Sequence, residues 1–191
     1  DGASRSVALS SYIFDDDRAG RAFREALTRA MHRGVAVRVL VDDVGIRYSL
    51  HHMDRSLHAA GVPVARFLPA IFHWKMPYFN LRLHRKILVI DGKVGFTGGM
   101  NIREGHQLSL ATDHAIQDVQ FRLRGPVVGQ LMEVFAEDWT FTTNEELAGD
   151  AWFPELAPAG NSLARCVRAG PDEDFRTVPW IIEGALACAR N

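Results

Sequence analysis

Val7-Ala8-Leu9-Ser10-Ser11-Tyr12-Ile13-Phe14 and Val35-Ala36-Val37-Arg38-Val39-Leu40-Val41 are the two runs whose reading decides the fold. Both are β-rich and largely apolar, as strands inside a covered sheet should be. Between them, Asp15-Asp16-Asp17 offers N-cap candidates and favourable negative charge for a helix from about Arg18 to His32. Ala22, Phe23, Ala26, Leu27 and Ala30 share one face of that helix. Arg21, Arg24 and Arg29, with Arg33, read as a solvated face, and Gly34 is placed as the stop. Strand, helix and strand with short connections make a βαβ unit, hence an α/β protein with parallel pairing.

Working outward, a second helix is expected over Ser49 to Ala60, stopped by Gly61 and Pro63, then a short strand at Val64 to Phe67. Leu68 to Asn80 reads as a loop. Lys86 to Ile90 and Val94 to Thr97 flank Asp91-Gly92, a strong short-range hairpin signal. Gln117 to Leu123 is a further strand. Gly125-Pro126 then opens a helix through Trp139 that buries Val127, Val128, Leu131, Val134, Phe135 and Trp139. After a loop at Asn144 to Asn161, Leu163 to Arg168 is a last strand candidate and Pro179 to Arg190 a last helix.

The 191 residues suffice for one domain with a sizeable core. Hydrophobic residues at 47% and a net charge of −1 exclude disorder and a nucleic-acid binder that works by bulk positive charge. A local basic patch stays open. Cys166 and Cys188 lie outside any metal-like cluster, and a reduced intracellular protein is the plain reading. No stretch approaches the roughly 18 apolar residues of a membrane span, and no signal peptide is evident. The start at Asp1 suggests a processed or excised piece.

The densest chemistry is His84-Arg85-Lys86-Ile87-Leu88-Val89-Ile90-Asp91, followed by Gly98-Gly99-Met100-Asn101. On an extended chain His84 and Lys86 project to one face. A neutral imidazole there suits attack on an anionic centre, and the ammonium suits holding its oxygens. The hairpin returns the Gly98-Gly99 turn towards that pair. Glycine lets backbone approach a ligand closely, and Asn101 adds a neutral donor.

His-x-Lys-x4-Asp followed by Gly-Gly-x-Asn resembles the HKD motif of the phospholipase D superfamily, and the surroundings are similar to bacterial cardiolipin synthases. Ser11-Tyr12-Ile13-Phe14, Arg33-Gly34-Val35, Phe96-Thr97-Gly98-Gly99-Met100-Asn101-Ile102, Gly125-Pro126-Val127-Val128 and Phe135-Ala136-Glu137-Asp138-Trp139 carry that likeness. It implies a phospholipase D-like α/β/α sandwich around a mixed β-sheet. It also implies a metal-free, cofactor-free phosphodiester exchange of the phosphatidyltransferase type. His84 would then form a phosphohistidine or protonate the leaving alcohol. Lys86, Gly98, Gly99 and Asn101 would bind phosphate oxygens. A later carboxylate would orient the imidazole, Asp118 matching best and Asp113 as the fallback. Asp91 completes the motif, although its place in the Asp-Gly turn makes a structural role the simpler reading. Gly98-Gly99, where much of the superfamily has Gly-Ser, is common in the cardiolipin synthase branch and points to lipid over nucleic acid. Leu83 stands where relatives often carry Asn.

His73-Trp74-Lys75 repeats the spacing without the Gly-Gly-x-Asn turn and reads as a loop near the site entrance. Trp74, Met76, Tyr78 and Phe79 form either a packed loop or a patch that meets lipid. His51, His52 and His58 read as solvated helix histidines.

The mechanism implied by the resemblance uses two histidines, and the chain has one complete motif. Either two copies pair as a homodimer, or a second half follows in a longer chain. Ser162 to Asn191 resembles the opening of a second repeat, which favours the longer chain. The expected organisation is therefore a first domain over 1–143, a linker over 144–162, and the start of a second repeat over 163–191. The expected substrate is a phosphatidylglycerol-like phospholipid. The full-length protein is expected at the cytoplasmic membrane surface, with this segment soluble. Two alternatives stand beside this: a homodimeric hydrolase or nuclease, and an inactive half-domain that binds phosphate or lipid head groups.

Overall fold

Strand β1 (Ser6–Ser11) is buried at every residue, so it must lie between strands and under helices on both faces. It pairs in parallel with β2 (Ala36–Asp42), Ser6 opposite Ala36. On its other side it pairs antiparallel with β4 (Ile87–Ile90), Val7 opposite Ile90. Strand β3 (Val64–Phe67) extends the sheet beyond β2, again in parallel. Strands β5 (Val94–Gly98) and β6 (Gln120–Arg124) extend it beyond β4, both antiparallel. The order is β3-β2-β1-β4-β5-β6 in a computed structural model that describes residues 1–49, 52–69, 82–108, 115–168 and 176–189.

Alternation along the strands divides the sheet into two apolar faces. Val7, Leu9, Val37, Val39 and Val41 pack with Leu27 and Ala30 of helix α1 (Arg18–His32) and with Met53 and Leu57 of α2 (Met53–Ala59). Helix α3 (Val127–Thr143) covers the other face, where a Cβ on Gly95 would meet Leu131 at 2.9 Å. The result is the α/β/α sandwich around a mixed sheet. On the α3 side the Arg38 guanidinium lies 5.8 Å from the Trp139 ring and 6.0 Å from the Trp152 ring. It donates to Glu145 at 2.9 Å, and this hydrogen bond holds the Glu145 carboxyl below its ordinary range.

The βαβ unit forms as its capping residues dictate. The Asp17 carboxylate accepts from Gly20 N at 2.9 Å, and Gly34 closes the helix with φ of 85°. Within the range expected to be helical, 49–60, helix α2 takes Met53–Ala59, and a 3₁₀ turn at Gly45–Tyr48 precedes it. The Asp42 carboxylate accepts from Val44 N and Gly45 N and fixes the turn directly after β2 that leads into the 3₁₀ segment. Strand β6 begins at Gln120, later than the expected Gln117.

The chain divides into two units, Asp1–Asn161 and Ser162–Asn191. In the second, the strand expected over Leu163–Arg168 is absent: those residues carry no regular structure, and Leu163 is fully exposed. Helix α4 (Thr177–Cys188) starts before the expected Pro179, which its first turn tolerates.

At the hairpin, Asp91 and Gly92 both adopt left-handed backbone, with φ of 54° and 63°. The Asp91 carboxylate accepts from the backbone N–H of Ser4, Arg5 and Ser6, and from the Ser4 hydroxyl. It thus ties the entry of β1 to the end of β4. Burial alone would raise its pKa, but these donors outweigh that and hold it below the ordinary value. Asp91→Ala is expected to cost about 2 kcal/mol in urea unfolding. A carboxyl whose folded pKa is lowered stabilises fully above its unfolded value and ceases to do so as pH falls through the folded one. The gap between wild type and variant should therefore narrow below about pH 4.

Candidate active site

His84, Arg85 and Lys86 lead directly into β4, and a buried carboxylate sets their position. Asp42, fully buried at the end of β2, accepts from Leu83 N at 2.8 Å through the oxygen not used for its own turn. One side chain therefore joins the C-terminal end of a parallel strand to the residue before His84. The two-residue alternation then divides the motif. Arg85 turns to the α3 side and pairs with Asp138 at 2.6 Å, as its place in the strand predicts. Burial pushes the Asp138 carboxyl up, against the pull of Arg85.

Lys86 is 6% exposed, and its Nζ donates to the His84 carbonyl at 2.8 Å and lies 3.1 Å from His84 Nδ1. It also sits 5.6 Å from the Tyr12 ring centroid. Among the described residues no carboxylate is within salt-bridge distance of it. Burial lowers its pKa, while the charge of Asp118 works against that shift. A buried ammonium without an anionic partner is costly, so it marks a place prepared for an anion.

His84 is exposed, with Tyr12 against it at 5.1 Å between ring centroids. Desolvation and then the Lys86 charge push its pKa down, and Asp42 offsets part of this. The imidazole is thus neutral at neutral pH. An ammonium facing Nδ1 makes that nitrogen the acceptor and leaves the ring proton on Nε2. Attack through Nε2 requires Lys86 to release Nδ1 to a proton, and service as a general acid requires the ring to be protonated first. An NMR titration should place His84 below the ordinary 6.5, and Lys86→Met should move it upward by removing one of the two lowering causes.

Asn101 is oriented by its own contact. Its Oδ1 accepts from Ile13 N at 3.1 Å, which turns its NH₂ the other way, with no hydrogen-bond partner among the described residues. Lys86 and Asn101 line one cavity of about 290 Å³ between α1 and the sheet, with Leu9, Phe23, Leu88 and Phe96 among its apolar walls. Gly98 and Gly99 make close approaches to the chain ahead of β6. A Cβ on Gly99 would fall 2.3 Å from Asp118 Oδ1, and one on Gly98 would fall 2.1 Å from Val119 O. Their smallness thus admits Asp118 beside the turn. Asp118 is exposed, and its charge acts on Lys86 and on His106. No hydrogen bond among the described residues joins it to His84. Asp91 lies at the far end of β4 from His84, held by the N-terminal strand entry. Asp113, His51 and the loop with His73, Trp74 and Lys75 lie outside the described residues.

Three residues of the site escaped the sequence reading as site residues: Asp42, Tyr12 and His106. Tyr12 packs edge-on against Tyr48 at 6.2 Å, and desolvation with that neighbour's hydrogen bond pushes its hydroxyl up to about 12. His106 is 7% exposed, and its Nδ1 has no partner among the described residues. A carboxylate at the carboxyl end of a parallel strand, where α/β sheets place ligands, was the available signal for Asp42.

A mixed six-stranded α/β/α fold that sets a buried ammonium beside an imidazole at a strand entry suits an anionic ligand. Residues 1–139 match the family model of the cardiolipin synthase, PLD-like domain, and the chain belongs to that family. Cardiolipin synthase 2 of Bacillus cereus is 31% identical over 99% of this chain, which spans 37% of that relative's length. Cardiolipin synthase A of Pseudomonas fluorescens is 32% identical over 98% of this chain, which spans 39% of its length. Among solved structures, Nuc from Salmonella typhimurium, a phospholipase D family member, shares the fold with TM-score 0.53 and 17% identity. That likeness covers 78% of this chain and 86% of Nuc. The resemblance carried by the motif is thus borne out for family and fold. Among the described residues no helix is long and apolar enough to cross a membrane.

Proposed function

We propose that this chain supplies one of the two histidine-bearing halves of a phosphatidyl-transfer centre. The observation that carries the reading is the buried, carboxylate-free Lys86 ammonium placed 3.1 Å from the His84 imidazole. Lys86 and the Asn101 NH₂ hold the non-bridging oxygens of a phosphodiester and meet the charge that grows there in the transition state. One histidine, His84 or its counterpart in the second half, attacks phosphorus through a neutral ring nitrogen. The bond to the leaving alcohol breaks as the other histidine gives that oxygen a proton. An acceptor hydroxyl then returns a proton to the second histidine and displaces the first from phosphorus, which restores both rings. Asp118 steadies the charge of Lys86, Gly98 and Gly99 keep it close to the phosphate end, and Asp91 acts as a structural tie. The donor is a phosphatidylglycerol-like lipid at the cytoplasmic membrane surface.

The length of the relatives supports a second motif in a longer chain. The division after Asn161 supports a second repeat opening near 163, while residues 144–161 belong to the first compact unit and not to a free linker. The full-length polypeptide incubated with phosphatidylglycerol should yield cardiolipin and glycerol. Phosphatidic acid alone would mean a hydrolase, and turnover of DNA without lipid turnover would sink the lipid reading.

A further inference from the structure

The cavity beside Lys86 is larger than phosphate binding requires and has the wrong lining for it. Its body is hydrocarbon: Leu9, Ala19, Leu88, Phe96 and Ile102, with Phe23 as an outer wall. Phe23 is 36% exposed and stacks edge-on against the buried Phe14 at 6.3 Å between centroids. The surface it offers is mainly apolar, so this space suits an occupant with an apolar part and a polar end. Its polar lining includes Lys86 and Asn101, the groups assigned above to the phosphate oxygens, together with Ser10, Ser11, Arg103, Gln107 and Gln120. His106 also contributes to the wall, and burial lowers its pKa, so it presents no charge at neutral pH against the attraction of Asp118 and with the support of Arg103 and Lys86. An occupant that is apolar yet tethered to a phosphodiester is an acyl-bearing arm of a phospholipid.

We infer that this cavity seats the upper part of one acyl chain of the phosphatidyl donor, between α1 and strands β1, β4 and β5. The inference rests on the phosphatidyl-transfer reading and adds a subsite to it. At about 290 Å³ the cavity is at the lower end of ligand pockets, so it takes part of one chain and leaves the rest outside.

The test uses the full-length protein and two probes that share a head group. Glycerophosphoglycerol has no acyl chains; dioctanoyl-phosphatidylglycerol, kept monomeric, has two. Each methylene seated should raise affinity roughly fourfold, so calorimetry should show the acylated probe binding at least a hundredfold tighter. Ala19→Phe, which fills the cavity from α1, should cut that advantage at least tenfold and leave glycerophosphoglycerol binding unchanged. Should Ala19→Phe fail to fold, Phe23→Ala carries the test: it should weaken the acylated probe several-fold and spare the other. An acyl advantage that survives both substitutions, with head-group binding intact, overturns this inference alone. Failure of wild type to bind glycerophosphoglycerol overturns the phosphatidyl-transfer reading, and the inference with it.

Discussion

Replacing His84 by alanine is expected to lower phosphodiester exchange by on the order of 10⁴ or more, the scale seen when the covalent or proton-transferring group of a catalytic unit is removed. The fold should survive. His84 is exposed, its one hydrogen-bonding side-chain contact among the described residues is with Lys86 Nζ, and the same ammonium keeps the backbone carbonyl of residue 84 as a partner. Circular dichroism and the urea midpoint of His84→Ala should therefore match wild type within about 0.5 kcal/mol. Rate loss with stability retained assigns His84 to chemistry. An active His84→Ala would remove the basis of the account.

Lys86→Met should reduce exchange by roughly 10²–10³, the usual effect of losing one preorganised oxyanion donor. The stability change should go the other way. Lys86 is buried without a carboxylate partner among the described residues, and burial already lowers its pKa. A thioether of similar length removes that desolvation cost, so Lys86→Met should unfold at equal or higher urea. Lys86→Arg should not rescue the rate, because a rigid planar guanidinium does not reproduce the contacts that the compact ammonium makes with the His84 carbonyl and Nδ1. A variant that lost activity and stability together would mark Lys86 as a packing residue.

Much of the fold was legible because its signals are local. Asp17 and Gly34 bracket α1, the valines from 35 to 41 alternate into a core, and Asp91-Gly92 dictates a turn. His84 and Lys86 share a face by strand geometry alone, and Arg85 leaves it for the same reason. What was missed depends on long-range partners. The bond from Leu83 to Asp42 spans 41 residues, and no window around Asp42 contains it. That carboxylate also sets the turn at Val44 and Gly45. At Gly98 and Gly99 the nearest atoms a Cβ would meet belong to Asp118, Val119 and Gln120, further along the chain. Leu163–Arg168 has the composition of a strand, but composition supplies no neighbour to pair with. His106 carries no pattern of its own, and only its burial beside the cavity draws attention to it.

The central claim is that His84 belongs to a two-step exchange in which a histidine is transiently bonded to phosphorus. The stereochemical course at phosphorus tests it most directly, using a phosphatidylglycerol analogue made chiral at phosphorus and the full-length protein. Two in-line displacements each invert the centre, so the account predicts net retention in the product. Net inversion would mean one direct displacement by the acceptor alcohol and would contradict it.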